Sequence, residues 1–321
     1  MVDKETAIVV CTYKRKELLQ VLFDSFAETN LKPGLIVIAD NDNDPEVGEM
    51  CSALQGRLPE GADVVYAPQE TNTGGAGGFS AGTGIAYARG ATWIWLMDDD
   101  VKILPDALEK LRPWMDRAVA DDRRVIQCRR LNYDGTPFYW QYHFLNKLGI
   151  PNPIAPSGFK NDETFRFMNT SCFEGGMFHR SIVKELGLPD YRFFIYWDDT
   201  VYGYLASKIT QPILIKDILM ARTRSIDNFK IGSVRKLNAT SDMVRYYIMR
   251  NRGFMGRYFA LHGDYKPFVF WLGTQITMLK EFIRLFINKG FKTGMRELRR
   301  GKRDAKEILR DANWQPMPKL D

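Results

Sequence analysis

The sequence predicts an α/β protein built on a mostly parallel, doubly wound sheet, followed by a helical, basic C-terminal extension. Three observations predict it. Short apolar runs alternate with segments of helical periodicity through the first hundred residues, the pattern of strands joined by crossover helices. Single polar residues, Thr12, Asp40 and Asp98, stand directly after three of the apolar runs. The charge is also segregated. Residues 235–321 carry 19 Lys and Arg against 8 Asp and Glu, a net of +11, whereas the residues before them hold 26 against 31, a net of −5.

Taken in order, residues 7–11 (AIVVC) form a β-branched run suited to a buried strand. Residues 16–29 follow with Leu18, Leu19, Leu22, Phe23 and Phe26 at helical spacing. Residues 35–39 (LIVIA) form a second buried strand, 46–58 a helix and 63–67 a third strand. A glycine-rich turn leads into a helix over 80–89, and 93–97 (WIWLM) form a fourth strand. Residues 121–175, rich in aromatics, Pro and Asn, read as short strands and long loops. A short helix over 181–186 and a strand over 213–215 follow, and from about residue 241 the pattern is helical to the end. In such a sheet the ligand sits beyond the carboxyl ends of the strands, so one cleft would collect Thr12, Asp40 and Asp98.

The bulk numbers set limits. At 321 residues, 45% hydrophobic and 26% charged, the chain has room for one large α/β domain with an appended unit. We divide it into a catalytic domain over 1–235 and a helical basic segment over 236–321. Cys11, Cys51, Cys128 and Cys172 are scattered, with no Cys-x-x-Cys pair, which argues against a structural zinc site or a disulfide framework and makes a reduced, cytoplasmic setting the default. The N-terminus does not read as a signal peptide, and no run reaches the ~18 apolar residues of a spanning helix.

Three motifs carry chemistry. Asp98-Asp99-Asp100 places three carboxylates at a strand end, where a hard divalent cation relieves their repulsion. Alternate residues of an extended segment point the same way, so Asp98 and Asp100 would face a metal while Asp99 turns elsewhere. The other reading is a solvated acidic turn. Asn72–Phe79 (NTGGAGGF) holds four glycines, which allow positive φ and close backbone approach to a ligand, or form a flexible turn. It matches neither a Walker loop nor G-x-G-x-x-G. Residues 193–200 (FFIYWDDT) set two carboxylates behind an aromatic wall, where desolvation suits one of them to general-base work; the same carboxylates are also natural helix starters. Glu174-Gly-Gly-Met177 precedes them with another tight turn.

The ordered set IVVCTYKR, IADND, NTGGAGGF, WLMDDD, FEGGMF and WDD resembles the inverting GT-A glycosyltransferases of family 2 over roughly residues 6–225. Within that family it is most similar to bacterial galactofuranosyltransferases and the rhamnosyltransferases near them. The resemblance implies a GT-A fold and transfer of a sugar from a UDP-sugar to a cell-surface glycan or a lipid-linked acceptor. It implies that Thr12, Tyr13, Arg15, Asp40, Asn72, Gly74, Gly75 and Asp99 line the nucleotide-sugar pocket, and that Asp98 and Asp100 hold Mn²⁺ or Mg²⁺. It further implies that Asp199 is the general base and that Asp198 holds acceptor hydroxyls. We also place Trp197 and Glu174 on the acceptor side, with the aromatic run 193–197 limiting water near the base and stacking on acceptor sugars. Galactofuranosyltransferases of this type supply a metal-binding histidine about two dozen residues beyond Trp-Asp-Asp. Here that region reads Ala221-Arg-Thr-Arg-Ser225, and the histidines, His143, His179 and His262, lie elsewhere. Either the metal manages without it, or Arg222 or Arg224 meets the diphosphate directly. His179 reads as a structural or helix-start residue. The rival readings are another hexosyltransferase of the same fold, a nucleotidyltransferase and an inactive scaffold.

The C-terminal segment repeats Leu272, Ile276, Leu279, Ile283 and Phe286 at spacings of three and four, an apolar helix face. A stretch dense in Lys and Arg follows over 289–310. Two readings stand: a helical hairpin packed on the catalytic domain with a solvated basic face, or a surface that lies on anionic lipid, peripheral on the inner face of the membrane. No nucleic-acid module is visible.

Overall fold

The apolar runs of the N-terminal half form the centre of one large sheet. The computed structural model describes residues 1–138, 143–152, 158–225, 228–231, 235–238, 240–288 and 291–321. Among them the strands are β1 (Val2–Thr12), β2 (Lys32–Asp40), β3 (Asp63–Pro68), β4 (Trp93–Asp98), β5 (Val101–Ile103), β6 (Val125–Leu131), β7 (Phe144–Leu145), β8 (Ile150–Pro151), β9 (Phe165–Phe167), β10 (Gly176–His179), β11 (Ile213–Arg222), β12 (Asn228–Ile231) and β13 (Arg235–Asn238). The helices are α1 (Lys16–Glu28), α2 (Pro45–Gln55), α3 (Gly74–Ala88), α4 (Ala107–Ala118), α5 (Arg180–Leu186), α6 (Asp198–Ala206), α7 (Asp242–Arg250), α8 (Arg252–Leu261), α9 (Pro267–Asn288) and α10 (Phe291–Arg310).

The sheet runs β3-β2-β1-β4-β10-β6-β11-β5, with β9 also paired to β11. Strands β1 to β4 are mutually parallel, as are β6 and β11, while β10 is antiparallel to both its neighbours. The fold class is therefore as expected: a mostly parallel mixed sheet between helices, with a helical C-terminal region. Both faces are covered. Ile8, Val10 and Trp95 pack with Leu22 and Phe26 of α1, while Val9, Val37 and Ile94 pack with Phe79 of α3 on the other side. A strand buried on both faces reads as an unbroken apolar run, which is why these strands stand out in the sequence. The polar ends do not, so β1 begins at Val2: Val2 and Asp3 pair with Lys32 and Pro33 before a bulge returns Ala7 to Leu35.

The register levels the strand ends. Thr12 lies opposite Asp40 and Cys11 opposite Asp98, so β1, β2 and β4 finish together at one edge. A third apolar cluster joins Ala76, Phe193, Trp197 and Tyr204 to Met255, Phe259 and Phe270, and thereby seats α8 and α9 on the sheet domain. Parts of two expected segments, residues 139–142 and 153–157 of the loop-rich stretch and Lys289 of the basic stretch, lie outside the described residues.

Candidate functional site

Four carboxylates meet four arginines at the levelled strand ends. Asp98 closes β4 and Asp100 follows it, and Glu174 arrives from the turn before β10, where Gly175 takes φ +96°. One oxygen from each of Asp98, Asp100 and Glu174 lies within 4.8 Å of the others. Asp99 turns the opposite way, accepting from Thr12 Oγ1 at 2.9 Å and from Arg15 at 2.9 Å. Arg222 grips Glu174 with two bonds of 3.0 and 2.9 Å, and Arg130 adds a third at 2.9 Å. Arg224 meets Asp100 Oδ2 at 2.8 Å. Asp100 Oδ1 is buried with no partner. An unpaired buried anionic oxygen is costly, and the residue that carries it belongs to the three-carboxylate cluster. Three clustered hard oxygen donors suit a small divalent cation. Burial, reinforced by Glu174, Asp100 and Asp99, pushes the Asp98 carboxyl well above the usual carboxylate range.

A second pair stands close enough for Glu174 to act on its charge, and among the described residues it forms no salt bridge with an arginine or lysine. Asp198 and Asp199 open α6, after a loop in which Phe194, Tyr196 and Trp197 all have positive φ, between 63° and 75°. Such backbone costs on the order of 1–3 kcal/mol per residue and persists only where its surroundings hold it. The hold is visible: the Asn251 side-chain amide donates to the carbonyls of Phe193, Ile195 and Tyr196, and Gly74 lies so close that a Cβ there would sit 2.1 Å from the Phe194 carbonyl oxygen. The Asp199 carboxylate accepts from Thr200 N at 2.5 Å and from Thr200 Oγ1 at 3.0 Å. Burial raises the carboxyls of both aspartates, that of Asp198 to about 8. Cys172 bonds Asp199, and its thiol is pushed well up by burial and by the charges of Asp199, Glu174 and Asp98.

Residues 7–187 match the family described as Glycosyl transferase family 2. The chain belongs to glycosyltransferase family 2. It is 30% identical over 196 residues to the galactofuranosyltransferase GlfT1 of Mycolicibacterium smegmatis, an alignment covering 60% of this chain and 61% of that protein. It is 26% identical over 270 residues to the galactofuranosyltransferase GlfT1 of Mycobacterium tuberculosis, covering 79% of this chain and 83% of that one. Among solved structures, S. aureus TarS 1–349 in complex with UDP-GlcNAc superposes with a TM-score of 0.57 at 13% identity, over 95% of this chain and 81% of that chain. That likeness establishes the GT-A-like fold.

Within this family 2 glycosyltransferase several residues lie where the sequence reading did not put them. Glu174, expected on the acceptor side, joins Asp98 and Asp100, because the positive φ of Gly175 folds it back to β4. Trp197 is not an acceptor platform. Its indole is 8% exposed, donates Nε1–H to the Ile248 carbonyl and packs in the third core cluster with the fully buried Phe193. Phe194 stacks on Tyr247 of α7. The glycine run is not a turn before a helix but the first turns of α3: a Cβ on Gly78 would strike Cys11 Sγ at 2.3 Å, so Gly78 admits the helix to β1, Gly74 and Gly77 make room for Phe194 and Thr73, and Gly75 alone of the run faces open space. Asp40 is fully buried, with Oδ1 taken by Asp42 N and Oδ2 by Asp44 N and Tyr66 OH, which shapes its loop and leaves it facing inward. Arg222 and Arg224, considered as diphosphate contacts, are bound to Glu174 and Asp100. Tyr13 is 41% exposed at the mouth, and Asn72 accepts from Gly74 N at 2.8 Å. His179 caps α5 through Ser181 N. Arg130 carried no motif signal in the sequence; only its salt bridge, 44 residues from its partner, reveals it.

Proposed function

We propose that this glycosyltransferase moves galactofuranose from UDP-galactofuranose to an acceptor hydroxyl with inversion, the acceptor being a cell-surface glycan or its lipid-linked precursor. The galactofuranosyltransferase relatives support the donor, and the UDP-GlcNAc bound in a structural neighbour supports the nucleotide class. The observation that carries the reading is the closeness of an oxygen cluster, Asp98, Asp100 and Glu174, to a buried Asp199 that forms no salt bridge among the described residues. Residues 1–235 are the catalytic unit and 236–321 the helical unit packed on it.

Thr12, Tyr13 and Arg15 border the nucleotide, with Asn72, Gly74 and Gly75 beside the donor sugar. Asp99 holds Arg15 in place for that task. Asp98, Asp100 and Glu174 would hold Mn²⁺ or Mg²⁺, which when bound offsets charge on the departing diphosphate. Arg222 and Arg224 sit at the same oxygens and keep the carboxylates together. Asp199 accepts the acceptor hydroxyl proton as that oxygen bonds the anomeric carbon and the bond from that carbon to UDP breaks. Asp198 orients the acceptor. The test offers UDP-, dTDP- and GDP-sugars in turn and reads nucleotide release. Release from UDP-galactofuranose above all others supports the proposal, while preference for a dTDP-sugar moves the chain to the rhamnosyl reading.

A further inference from the structure

Helix α9 is amphipathic in the reverse sense. Its side toward the protein sets polar and charged groups between the buried Phe270 and Leu285. Thr274 accepts from Arg252 Nε at 2.8 Å, Thr277 lies on the same guanidinium, and Glu281 is buried with Arg284 and Arg245. Gly273 on this side lies so close to Leu148 that a Cβ would sit 1.8 Å from its carbonyl oxygen. The side away from the protein is apolar: Phe268, Trp271, Leu272, Leu279, Phe282 and Phe286 are all exposed, Phe268 by 74% and Phe286 by 78%. At 3.6 residues per turn, these six and the Ile276 and Ile283 between them fall within an arc of about 140°. Among the described residues Gln275 is the one polar side chain in that arc. A surface helix in water carries the opposite pattern, and an exposed apolar band of this length marks a surface that meets another phase or molecule.

The flank of the band identifies what it meets. Helix α10 lies alongside: Lys302 reaches Gln275 at 3.4 Å, and Phe291 packs edge-on against Phe282, extending the apolar band. The outer face of α10 is basic, with Arg296, Arg299, Arg300, Arg303, Lys306 and Arg310 exposed along it and Glu307 the one acidic residue among them. A basic face beside an aromatic-rich apolar face is the composition of a helix pair that lies in the headgroup region of an anionic bilayer. No described helix is long and apolar enough to cross a membrane, and the charged inner side of α9 would make crossing costly.

We propose that α9 docks this protein on anionic membrane, its Phe268–Phe286 band entering the interface while α10 meets lipid phosphates. The inference stands apart from which sugar is transferred. It moves the attachment from the basic stretch alone, as read from sequence, to the apolar outer face of α9. The test is flotation of the full chain with phosphatidylcholine vesicles and with vesicles containing phosphatidylglycerol, at low and high salt, together with tryptophan quenching by brominated lipids. The wild type floats with anionic vesicles, less so at high salt, and Trp271→Phe loses a distinct fraction of the quenching. Leu279→Glu with Phe286→Glu lowers the bound fraction at least tenfold, while nucleotide release from the donor is unchanged, which shows the variant is folded. Failure of the wild type to float, or flotation of the double variant like wild type, overturns the proposal. So does a concentration-dependent dimer that the same two substitutions dissolve, since the band then belongs to a second copy of the chain.

Discussion

The two carboxylate groups of the cleft solve the same problem in opposite ways. Around Asp98–Asp100 and Glu174, buried negative charge is balanced by Arg15, Arg130, Arg222 and Arg224. At Asp198 and Asp199, among the described residues, no arginine or lysine forms a salt bridge, and burial raises their affinity for protons with no such partner to offset it. Four guanidinium groups balance the first cluster, although burial and its neighbouring carboxylates still push the Asp98 carboxyl well above the usual range. An uncompensated pair takes up a proton readily, the property on which the proposed base would draw. The difference follows from the supporting elements. The first group sits at the ends of buried strands, where guanidinium groups reach in from β6 and β11. The second begins a helix after strained backbone pinned by Asn251 and Gly74.

The comparison predicts its largest effect from removing the divalent ion. Chelation with EDTA is expected to abolish transfer, and Mn²⁺ or Mg²⁺ to restore it. Full turnover in chelator would mean that the arginines alone carry the leaving charge, and the two groups would then divide the labour differently. Asp100→Ala is expected to weaken metal-supported UDP binding in the same titration.

Next in size is the base. Asp199→Asn keeps shape and hydrogen bonding but cannot take the proton, and the loss of a positioned base costs about 10²- to 10⁴-fold. Donor affinity, read by UDP-sugar titration, is expected to hold. Because burial raises the Asp199 carboxyl, the wild-type rate should fall on the acid side at a pH above that of an ordinary aspartate. Turnover of Asp199→Asn near the wild-type rate would remove the role.

Smaller in turnover is the effect of unpairing the compensated cluster. Arg222→Ala strips two hydrogen bonds from Glu174 and leaves it to Arg130. Breaking a buried pair costs about 3 kcal/mol, so a lower denaturation midpoint is expected, with weaker Mn²⁺-supported UDP binding. An unchanged midpoint would show that Glu174 is served by Arg130 alone.

How much of this was legible depends on which force set each residue. The apolar strands and the three aspartates after WIWLM could be read because burial on both faces leaves an unbroken run that ends abruptly. The helix over 74–79 could not, because glycine is a poor helix former and only the close approach to Cys11 explains it there. Helix α4 carries Pro113, which masks its periodicity even though Leu108, Leu111 and Met115 are buried. Glu174 was visible as a motif but not as a partner of Asp98, since that depends on an antiparallel strand inserted beside β4. Trp197 shows the reverse error: its neighbours in sequence suggested a sugar platform, whereas its neighbours in space are Phe144 and Tyr196. Its indole is core.

The smallest effect on turnover is expected at Asp198, where the comparison is sharpest in stability. An unfolded aspartate titrates near 3.9, and burial with the charge of Asp199 lifts the folded one to about 8. The native state therefore binds this proton more tightly than the unfolded chain does. That contribution to stability is complete below about pH 4 and is lost as pH rises through about 8. Asp198→Asn is neutral at every pH and removes the dependence. Its unfolding free energy should match wild type near pH 4 and rise above it with pH, by on the order of a few kcal/mol at pH 8, while acceptor KM increases and kcat changes little. The free protein is the proper sample, since donor and acceptor would alter the field at the pair. A variant that loses stability equally at pH 5 and pH 8 would show Asp198 to be an ordinary helix-start residue. The arginine-free pair would then reduce to Asp199 alone, with the proton-accepting character of the cleft residing in a single carboxylate held by Thr200 and Cys172.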